Sequence, residues 1–501
     1  MNETEARLAG LYALHFDGVS TTELTPVAAS GGNREYYRLE GAAGNVIGTS
    51  GSDLAENRAF IYLSKHFAGK GLPVPHVLAV SDCGRYYLQT DCGCSSLFDV
   101  LADARTSGRF GEEDVHLLRA ALDLLVDVQF EGASGIDFNR CYPQPAMNAR
   151  MIAWDLSYFK YSFLKPALGD FDEALLQDDL DSIATAVGEA AVEADTFMVR
   201  DFQSRNLMVD DAGKLSLIDF QGGRRGPVEY DVASFLWQAK AAIPPSLRMQ
   251  LVDWYVAHAE RYAVRGFSAE RFRRRLPVFV LFRVLQTLGA YGFRGLYERR
   301  PHFIASICPG VANLRGVISE FNLAKEYPYL AEIAEKLADC YAVRTASAIS
   351  SVPPAPAGVL TVSVASFSYK KGVPADLSGN GGGFVFDCRA VHNPGRFDRY
   401  KPLTGRDAPV VGFLEDNGEI FTFLESAYKL VDASVARYIS RGFTSLCVSF
   451  GCTGGRHRSV YSAEAMTQHL REHFPQIRVV LWHREQDILE IFNPMGDSVT
   501  H

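Results

Sequence analysis

The segment from residue 199 to residue 223, VRDFQSRNLMVDDAGKLSLIDFQGG, constrains the fold of this chain more than any other. Residues 207–209 and 215–218 are apolar and strand-like, and the polar residues between them are typical of a hairpin turn. A closed hairpin would bring three polar side chains, which flank the two strands, to one end of it. They are Asp201, Asn206 and Asp219.

These three residue types suit phosphoryl transfer. A carboxylate at Asp201 orients a hydroxyl nucleophile, while Asn206 and Asp219 hold Mg²⁺ beside a triphosphate. The pattern therefore indicates a kinase-type phosphotransferase that uses ATP and Mg²⁺. The alternative is a solvated hairpin with turn-forming acids, but such turns rarely place an Asp, an Asn and an Asp at these intervals.

Composition narrows the class of protein. A chain of 501 residues is long enough for two or three domains. The formal charge of −9 gives no general reason to expect nucleic-acid binding. Nine cysteines without a framework pattern favour reduced thiols in the cytoplasm. The first residues do not have the pattern of a signal peptide, and no long apolar window predicts a membrane span.

Composition also divides the chain. Residues 344–358, RTASAISSVPPAPAG, predict an extended linker. Before it, residues 1–94 are strand-rich with a helix at 53–67, and residues 95–343 are mainly helical, which is the plan of a bilobal, kinase-like α+β phosphotransferase. Residues 359–501 alternate strands and helices and predict an α/β domain with a largely parallel sheet. The predicted fold class is thus multi-domain.

A glycine-rich turn lies in the first lobe, at Gly31, Gly32 and Asn33, followed by Arg34. Its backbone N–H groups suit phosphate, although the same residues also make an ordinary hairpin turn. In a kinase, the next helix carries a glutamate that holds a strand lysine. Glu56 fits that place, but Gly48 and Thr49 occupy the strand where the lysine belongs. Glu56 therefore has no obvious partner in the sequence, and a solvated carboxylate is as good an interpretation.

Residues 1 to about 340 resemble the aminoglycoside phosphotransferase and choline kinase family. The matching pieces include GGNREYYRL, LQTDCG, VRDFQSRNLM and LIDFQGG. The resemblance implies Asp201 as catalytic base and Asn206 and Asp219 as metal ligands. It also implies a nucleotide site that includes a hinge at 88–93. The implied nucleotide-binding residues are Gly31, Gly32, Asn33, Arg34, Thr90 and Cys92.

Within that family the chain is most similar to bacterial kinases of the anomeric hydroxyl of N-acetylmuramate and N-acetylglucosamine. Two positions depart from the family pattern. Val199 replaces the usual His before the catalytic Asp, and the strand lysine is missing, as it is in this subgroup. The second change weakens ATP binding or transfers the role of the lysine to another cation, such as Arg34.

The acceptor is less defined by the sequence. Trp154, Tyr158 and Tyr161 in the aromatic segment 148–164 suit stacking on a sugar, but their helical spacing equally favours a plain core face. Asp155 and Arg294 are further acceptor-site candidates. Asp231, downstream of the metal ligands, is expected to cap a helix or brace the catalytic loop.

A second phosphate-oriented motif is SFGCTGGRHRSVY at 449–461, in which a strand leads through a glycine-rich loop into a helix. Such a loop and helix N-terminus form an anion nest, and the flanking arginines add charge. Cys452 and Arg458 also have the spacing of cysteine phosphatases. A small loop residue without chemistry is the alternative for Cys452.

The segment 358–490 resembles the C-terminal domain of RapZ, an RNase adaptor that senses a phosphorylated amino sugar. FVFDCRAVHNPGRF, PLTGRD and GCTGGRHRSVY match in order. The resemblance implies a phosphosugar site. Its implied residues are Asp387, Arg389, Asn393, Cys452, Thr453, Gly454, Gly455, His457 and Arg458. The acidic-to-neutral end of the chain does not favour RNA binding.

Three hypotheses follow. The first is an ATP- and Mg²⁺-dependent sugar kinase whose C-terminal domain binds a phosphorylated sugar. The second is a regulatory adaptor with a degenerate kinase lobe that binds RNA or protein. The third is a kinase joined to a Cys-dependent phosphatase. The sequence sets neither the acceptor nor the oligomeric state.

Overall fold

The computed structural model describes residues 2–27, 34–345, 358–374, 383–416 and 418–494. The chain divides into two compact units, one of Met1–Phe293 with Pro309–Lys336 and one of Arg294–Cys308 with Leu337–His501. The linker predicted at 344–358 falls almost wholly outside the described residues, and so the predicted domain boundaries stay a prediction.

The first unit begins with an antiparallel sheet of five strands in the order β1-β2-β3-β5-β4, as expected for a strand-rich lobe. Two helices, α1 and α2, accompany it. The elements are α1 (Glu3–His15), β1 (Thr21–Val27), β2 (Arg34–Gly41), β3 (Val46–Gly51), α2 (Leu54–Ala68), β4 (Val77–Val80) and β5 (Tyr86–Thr90). The predicted helix at 53–67 is thus confirmed, with Asp53 capping its first N–H groups.

Strand alternation gives the sheet two different faces. On one face, Leu39 and Leu88 pack with Leu8 of α1 in a small apolar core. Gly48 lies on this face, because a Cβ there would meet Leu39 and Leu8 at 2.7 and 3.1 Å. Thr49 therefore points to the opposite face, which α2 covers through the stacked rings of Phe60 and Tyr87.

The remainder of the first unit is mainly helical, with short two- and three-residue strands around the hairpin segment 199–223. Its elements, in chain order, are β6 (Ser95–Ser96), α3 (Leu97–Val100), α4 (Ala102–Ser107), α5 (Glu112–Phe130), α6 (Ala149–Tyr158), α7 (Lys165–Leu168), α8 (Glu173–Glu193), β7 (Phe197–Met198), β8 (Leu207–Val209), β9 (Leu215–Leu217), β10 (Arg224–Arg225), α9 (Glu229–Leu236), α10 (Pro245–Ala259) and α11 (Ala269–Tyr291).

Two further helices, α12 (Pro301–Glu320) and α13 (Pro328–Thr345), follow α11. Among the described residues one helical stretch, Ala269–Tyr297, has the length and apolar composition of a membrane span, and 61% of its most apolar window is buried within the protein. A core helix of a globular domain passes the same test. The sequence expects one helical pattern over 274–306, but the helix stops after Tyr297 and α12 begins at Pro301.

The second unit is built on a sheet in the order β12-β13-β11-β14-β15, whose first four strands are parallel. Its elements are β11 (Thr361–Ser368), β12 (Gly383–Asp387), α14 (Ala408–Asp416), α15 (Glu419–Ser440), β13 (Ser445–Cys452), α16 (Arg458–His473), β14 (Arg478–His483) and β15 (Ile488–Phe492). The largely parallel α/β arrangement is confirmed, and only β15 is antiparallel. Ligand sites in such sheets lie beyond the carboxyl ends of the strands.

Candidate functional site

The hairpin formed by β8 and β9 sets the geometry of the first site. Leu207 pairs with Leu217 and Val209 with Leu215. At the tip, Asp210 accepts hydrogen bonds from the N–H groups of Ala212 and Lys214. At the other end, the Ile218 N–H donates to the Asn206 carbonyl at 2.9 Å. The hairpin therefore holds Asn206 and the Ile218–Asp219 segment side by side, as the sequence predicts.

Asp201 joins the same end of the hairpin. The side-chain amide of Asn206 donates to the Asp201 carbonyl at 2.9 Å, which leaves the side-chain oxygen of Asn206 as the atom offered to a cation. Part of the Asp201 side chain reaches solvent, but the surrounding protein desolvates its carboxyl and raises its pKa, and the charge of Asp219 adds to the rise. The two aspartates are thus electrostatically coupled.

A buried carboxylate braces the loop before Asp201. Asp231 is fully buried and accepts the N–H groups of Val199 and Arg200, both at 2.8 Å. Arg200 has a φ of 73°, in the left-handed region that is uncommon for a non-glycine residue. Asp231 holds this strained turn, the bracing role that the sequence suggested. Burial raises the pKa of Asp231 to about 7, although both N–H groups oppose the rise.

Glu56 has a partner that the sequence did not reveal. Nη2 of Arg34 lies 2.7 Å from Oε1 of Glu56, so the expectation that this carboxylate has no partner is wrong. The kinase pattern places the partner of this glutamate on β3, whereas Arg34, the substitute cation that the sequence suggests, starts the neighbouring strand β2. The predicted Gly31, Gly32 and Asn33, which precede Arg34, lie outside the described residues.

The hinge residues are tied into the sheet by their side chains. The Thr90 hydroxyl accepts the His76 N–H at 2.9 Å, and burial raises the pKa of the Cys92 thiol to about 11. Asp91 forms an ion pair with Arg38 at 2.6 Å. These side chains have internal roles, and the Thr90 N–H donates to the His76 carbonyl at 3.0 Å, so the nucleotide-binding role of Thr90 and Cys92 stays a prediction.

In the second unit, the loop between β13 and α16 forms the other candidate site. Gly455 has a φ of 65°, and a Cβ there would lie 2.5 Å from Cγ of Glu485 and 2.7 Å from the backbone nitrogen of Ser368. Gly454 is the opposite case, because a Cβ there would meet nothing within 4 Å. The first glycine is required by the fold of the loop, whereas the second leaves an open approach to its backbone.

A cavity of about 350 Å³ lies beside this loop. Arg458 at its wall is buried and donates to the carbonyl groups of Arg389 and Val391 at 3.0 and 2.8 Å, which ties α16 to the segment after β12. Its other lining residues are Arg389, Ala390, Val391, His392, Asn393, Arg396 and Thr453. Three arginines and a histidine therefore line a space large enough for a small phosphorylated ligand.

Two family models match the chain, and each covers the region of one candidate site. Residues 23–267 match the phosphotransferase enzyme family, and residues 360–487 match the RapZ C-terminal domain. The chain joins a phosphotransferase domain to a RapZ C-terminal domain. Neither match alone spans half of the chain, so each family applies to its own domain.

Individual relatives cover parts of the chain. A nucleotide-binding protein of Xanthomonas oryzae pv. oryzae is 42% identical over 123 residues, 24% of this chain and 41% of the relative. The chain thus spans less than half of the length of that curated relative. A choline kinase from Cryptosporidium parvum (13% identity, TM-score 0.42) covers 62% of this chain and 93% of its own. The aminoglycoside phosphotransferase APH(4)-Ia (13% identity, TM-score 0.41) covers 64% and 99%.

The acceptor-site candidates of the phosphotransferase domain are not all brought together. Asp155 is held by Arg200 at 3.5 Å and by the side-chain amide of Gln286 at 2.7 Å, and burial raises its pKa. Tyr158 packs against Phe293, with ring centroids 5.8 Å apart. Arg294 belongs to the second compact unit, where it lies over the ring of Phe303.

The aromatic segment around α6 is buried only in part, since Phe159 and Phe163 are in the core. Trp154 is 59% exposed and Tyr161 is 58% exposed, so the plain-core interpretation is wrong for these two residues. Their rings are open to a ligand or to solvent, because the apolar residues of α6 that face the core are instead Met151, Ile152 and Leu156.

Several predicted residues of the RapZ C-terminal domain support the loop rather than line its cavity. The Cys452 thiol is buried against the Ser459 hydroxyl at 3.2 Å and accepts the Gly455 N–H at 3.2 Å. Burial opposes its ionisation, but hydrogen bonds from Ser459 and the Arg456 backbone and the charge of Arg458 lower its pKa. His457 is bonded through Nε2 to the Tyr400 carbonyl at 2.9 Å, and burial lowers its pKa.

Asp387 and two residues that sequence analysis missed complete this site. The carboxylate of Asp387 forms a two-point ion pair with Arg389, with oxygen–nitrogen distances of 2.6 and 2.9 Å, and so orients that guanidinium. His392 and Arg396 line the cavity but were not predicted. A signal was present, because both follow β12 in CRAVHNPGRF and β12 pairs in parallel with β13.

The side chains able to ligate a metal ion are a further feature of the two sites. No group of three or more His, Cys, Asp or Glu side chains able to hold an ion occurs within residues 2–27, 34–345, 358–374, 383–416 and 418–494. Asn206 and Asp219 instead offer two oxygen ligands, which suits Mg²⁺ because this ion commonly takes one or two protein ligands and completes its shell with phosphate and water. The residues present fit a nucleotide-bound Mg²⁺.

Proposed function

We propose that the first domain is an ATP- and Mg²⁺-dependent kinase that phosphorylates a hydroxyl group of a sugar, with amino sugars such as N-acetylmuramate and N-acetylglucosamine as the favoured acceptors. The observation that carries the proposal is the convergence of Asp201, Asn206 and Asp219 at one end of the β8–β9 hairpin. The match to the phosphotransferase enzyme family over residues 23–267 supports it.

Each of these residues has a distinct task. Asp201 accepts the proton of the acceptor hydroxyl, and its raised pKa brings it closer to the range in which a carboxylate works as a general base. Asn206 and Asp219 would hold Mg²⁺, and Mg²⁺·ATP supplies the transferred phosphoryl group when bound. Asp231 keeps the loop in place through the Val199 and Arg200 N–H groups.

We propose that the RapZ C-terminal domain binds a phosphorylated sugar, either as a sensor or to receive the product of the kinase. Arg389, Arg396 and Arg458 around one cavity support a phosphate ligand. The nine cysteines are free thiols, which favours a reducing compartment, and we place the activity in the cytoplasm. RNA binding is not part of this proposal.

Incubation of the protein with radiolabelled ATP, Mg²⁺ and a panel of amino sugars tests the kinase. Wild type should label at least one acceptor, and Asp201→Asn should lower the rate by roughly 10²- to 10⁴-fold while it still binds ATP. No labelling of any acceptor, with Asp201→Asn identical to wild type, would overturn the proposal.

A regulatory role without phosphoryl transfer is the second candidate. It is favoured by the 42% identity over 123 residues to the nucleotide-binding protein of Xanthomonas oryzae pv. oryzae. Under this candidate the same panel shows no transfer although calorimetry detects ATP. The phosphatase hypothesis lacks support, because the thiol of Cys452 is buried and does not line the cavity.

A further inference from the structure

Arg34 is a buried cation with unfulfilled donors. It is 6% exposed, although it begins the strand β2 beside the glycine-rich turn. Its Nε has no hydrogen-bond partner, and its Nη2 lies 2.7 Å from Glu56 but off the line of a hydrogen bond. Buried donors without partners are costly, and so they point to a ligand that would satisfy them.

The register of the sheet explains why this cation starts β2. Arg34 pairs with Gly51 and Tyr36 with Thr49, so Arg34 and Thr49 lie on the same face, the one covered by α2. Gly48 lies on the opposite face against α1. A lysine at position 49 would therefore point into the space that Arg34 occupies, and Arg34 fills from β2 the place that a β3 cation would take.

The surroundings of Arg34 favour a permanent charge. Burial opposes that charge, but Tyr87, Tyr36, Glu56 and Asp219 together raise the pKa of Arg34 above its ordinary value. Asp219 is a proposed metal ligand, so the guanidinium is within electrostatic reach of the place where Mg²⁺ and the nucleotide phosphates would lie. In a partly buried pair, Arg248 with Glu320 at 3.1 Å, Glu320 is the charge that raises the pKa of Arg248, but desolvation outweighs it and lowers that pKa.

We propose that Arg34, held by Glu56, is the cation that binds the nucleotide phosphates in this chain, in place of a lysine on β3. The proposal rests on the proposed kinase function and identifies how its nucleotide site obtains positive charge. A cation on β2 that lies on the face of Thr49 supplies the positive charge that a β3 lysine would bring to a phosphate.

Calorimetry of nucleotide binding tests the proposal without reference to turnover. Arg34→Met should weaken Mg²⁺·ATP binding by roughly 10- to 100-fold and leave adenosine binding unchanged, because only the phosphates lose a charged partner. Arg34→Lys should retain most of the ATP affinity. The double variant Arg34→Met with Thr49→Lys should regain at least about tenfold, because the new lysine points to the same face.

Arg248→Met is the matched control, since it removes a largely covered arginine that also pairs with a glutamate and also has an unpartnered Nε. It should change the unfolding midpoint as much as Arg34→Met but leave ATP affinity unchanged. Equal ATP affinity in wild type and Arg34→Met overturns the inference alone. Loss of ATP and adenosine binding together in Arg34→Met and Arg34→Lys also overturns it, by showing a structural role.

The kinase proposal can fail separately. If ATP binding depends on Arg34 as described but no acceptor is phosphorylated, the inference stands and the proposed reaction is wrong. If wild type does not bind ATP at all, both are overturned.

Discussion

In the phosphotransferase domain two carboxylates, Asp201 and Asp219, converge and the charges of Arg283 and Arg200 act on Asp201, whereas in the RapZ C-terminal domain three arginines line the cavity at Arg458. Both arrangements suit phosphate, but the first presents carboxylates and the second is lined by arginines. Under the proposed function the first site would bind a triphosphate through a metal ion, while the second would bind a phosphate group directly.

The two loops are also braced differently. Asp231 is a fully buried acid whose pKa burial raises to about 7, and it holds its loop through backbone N–H groups. Behind the glycine loop, Glu485 contacts Lys371 at 2.7 Å and Arg484 at 2.8 Å. Burial opposes its ionisation, but these partners lower its pKa. A brace made through backbone N–H groups and a brace made through ion pairs should respond differently to pH.

Removal of divalent cations gives the largest expected difference between the two sites. A chelator should lower phosphoryl transfer by at least roughly 10³-fold, because the carboxylates at Asp201 and Asp219 would repel a bare triphosphate. Binding of inorganic phosphate to the RapZ C-terminal domain should not change. Equal loss at both sites, measured by transfer assay and calorimetry, would contradict the contrast.

Deprotonation of Asp231 should lower the free energy of unfolding of the first unit as pH rises. Between its ordinary pKa of 3.8 and its folded pKa of about 7, the folded protein keeps a proton that the unfolded chain has released. The free energy of unfolding therefore falls as pH rises through this window, by up to an amount on the order of 4 kcal/mol. Asp231→Asn removes this slope, which urea unfolding at about pH 5 and about pH 7.5 would show.

Glu485 supplies the opposite case and the control. Its folded pKa lies below the ordinary 4.5, so its contribution to stability is present above that pH and is lost as pH falls through the folded pKa. Glu485→Gln should therefore differ from wild type by a constant amount between about pH 5 and about pH 7.5. If the difference in unfolding free energy between Asp231→Asn and wild type did not depend on pH, the contrast between Asp231 and Glu485 would be wrong.

The two neighbouring glycines of the loop should separate stability from binding. Gly455→Ala places a Cβ 2.5 Å from Cγ of Glu485 at a φ of 65°, and it should cost roughly 1–3 kcal/mol of unfolding free energy. Gly454→Ala meets nothing within 4 Å and should leave the unfolding midpoint unchanged while it weakens phosphate binding. Equal midpoints for the two variants in thermal unfolding would show that the loop does not depend on its contact with Glu485.

Loss of the Arg396 side chain should have the smallest effect of these changes, and this effect should be on ligand affinity. Arg396→Gln is expected to weaken binding of N-acetylglucosamine 1-phosphate by about tenfold, since one charge-assisted contact is lost at the cavity wall. Arg399→Gln is the matched control, because Arg399 is also exposed and only three residues away but lies over the ring of Tyr400. The same affinity for both variants would place the ligand elsewhere.

The local sequence pattern was sufficient to predict the hairpin and the polar residues at its end. The strand alternation around Asp210 and the intervals between Asp201, Asn206 and Asp219 act over fewer than 20 residues, so the sequence could predict their convergence. The same holds for the β13 loop and the parallel sheet of the second unit. In both places the chemistry sits next to the turn that positions it.

Contacts between distant segments could not be predicted in this way. Trp154 and Tyr161 have the helical spacing of a core face, yet the packing of α6 leaves them exposed. Arg294 belongs to the second unit, and His392 and Arg396 reach the cavity only because β12 pairs with β13. Which face of a helix is covered depends on its neighbours, and periodicity alone does not identify them.

The sequence alone determined the two-aspartate and asparagine arrangement, the strand–loop–helix motif and the absence of a β3 lysine, because each is a property of a short segment. Only the tertiary structure showed that Arg34 and Glu56 meet. That contact requires the register of β2 on β3 and the packing of α2 on one face of the sheet. The apparent loss of a cation in the sequence is therefore its relocation to a neighbouring strand, since side chains are brought together by the face they share and not by their separation along the chain.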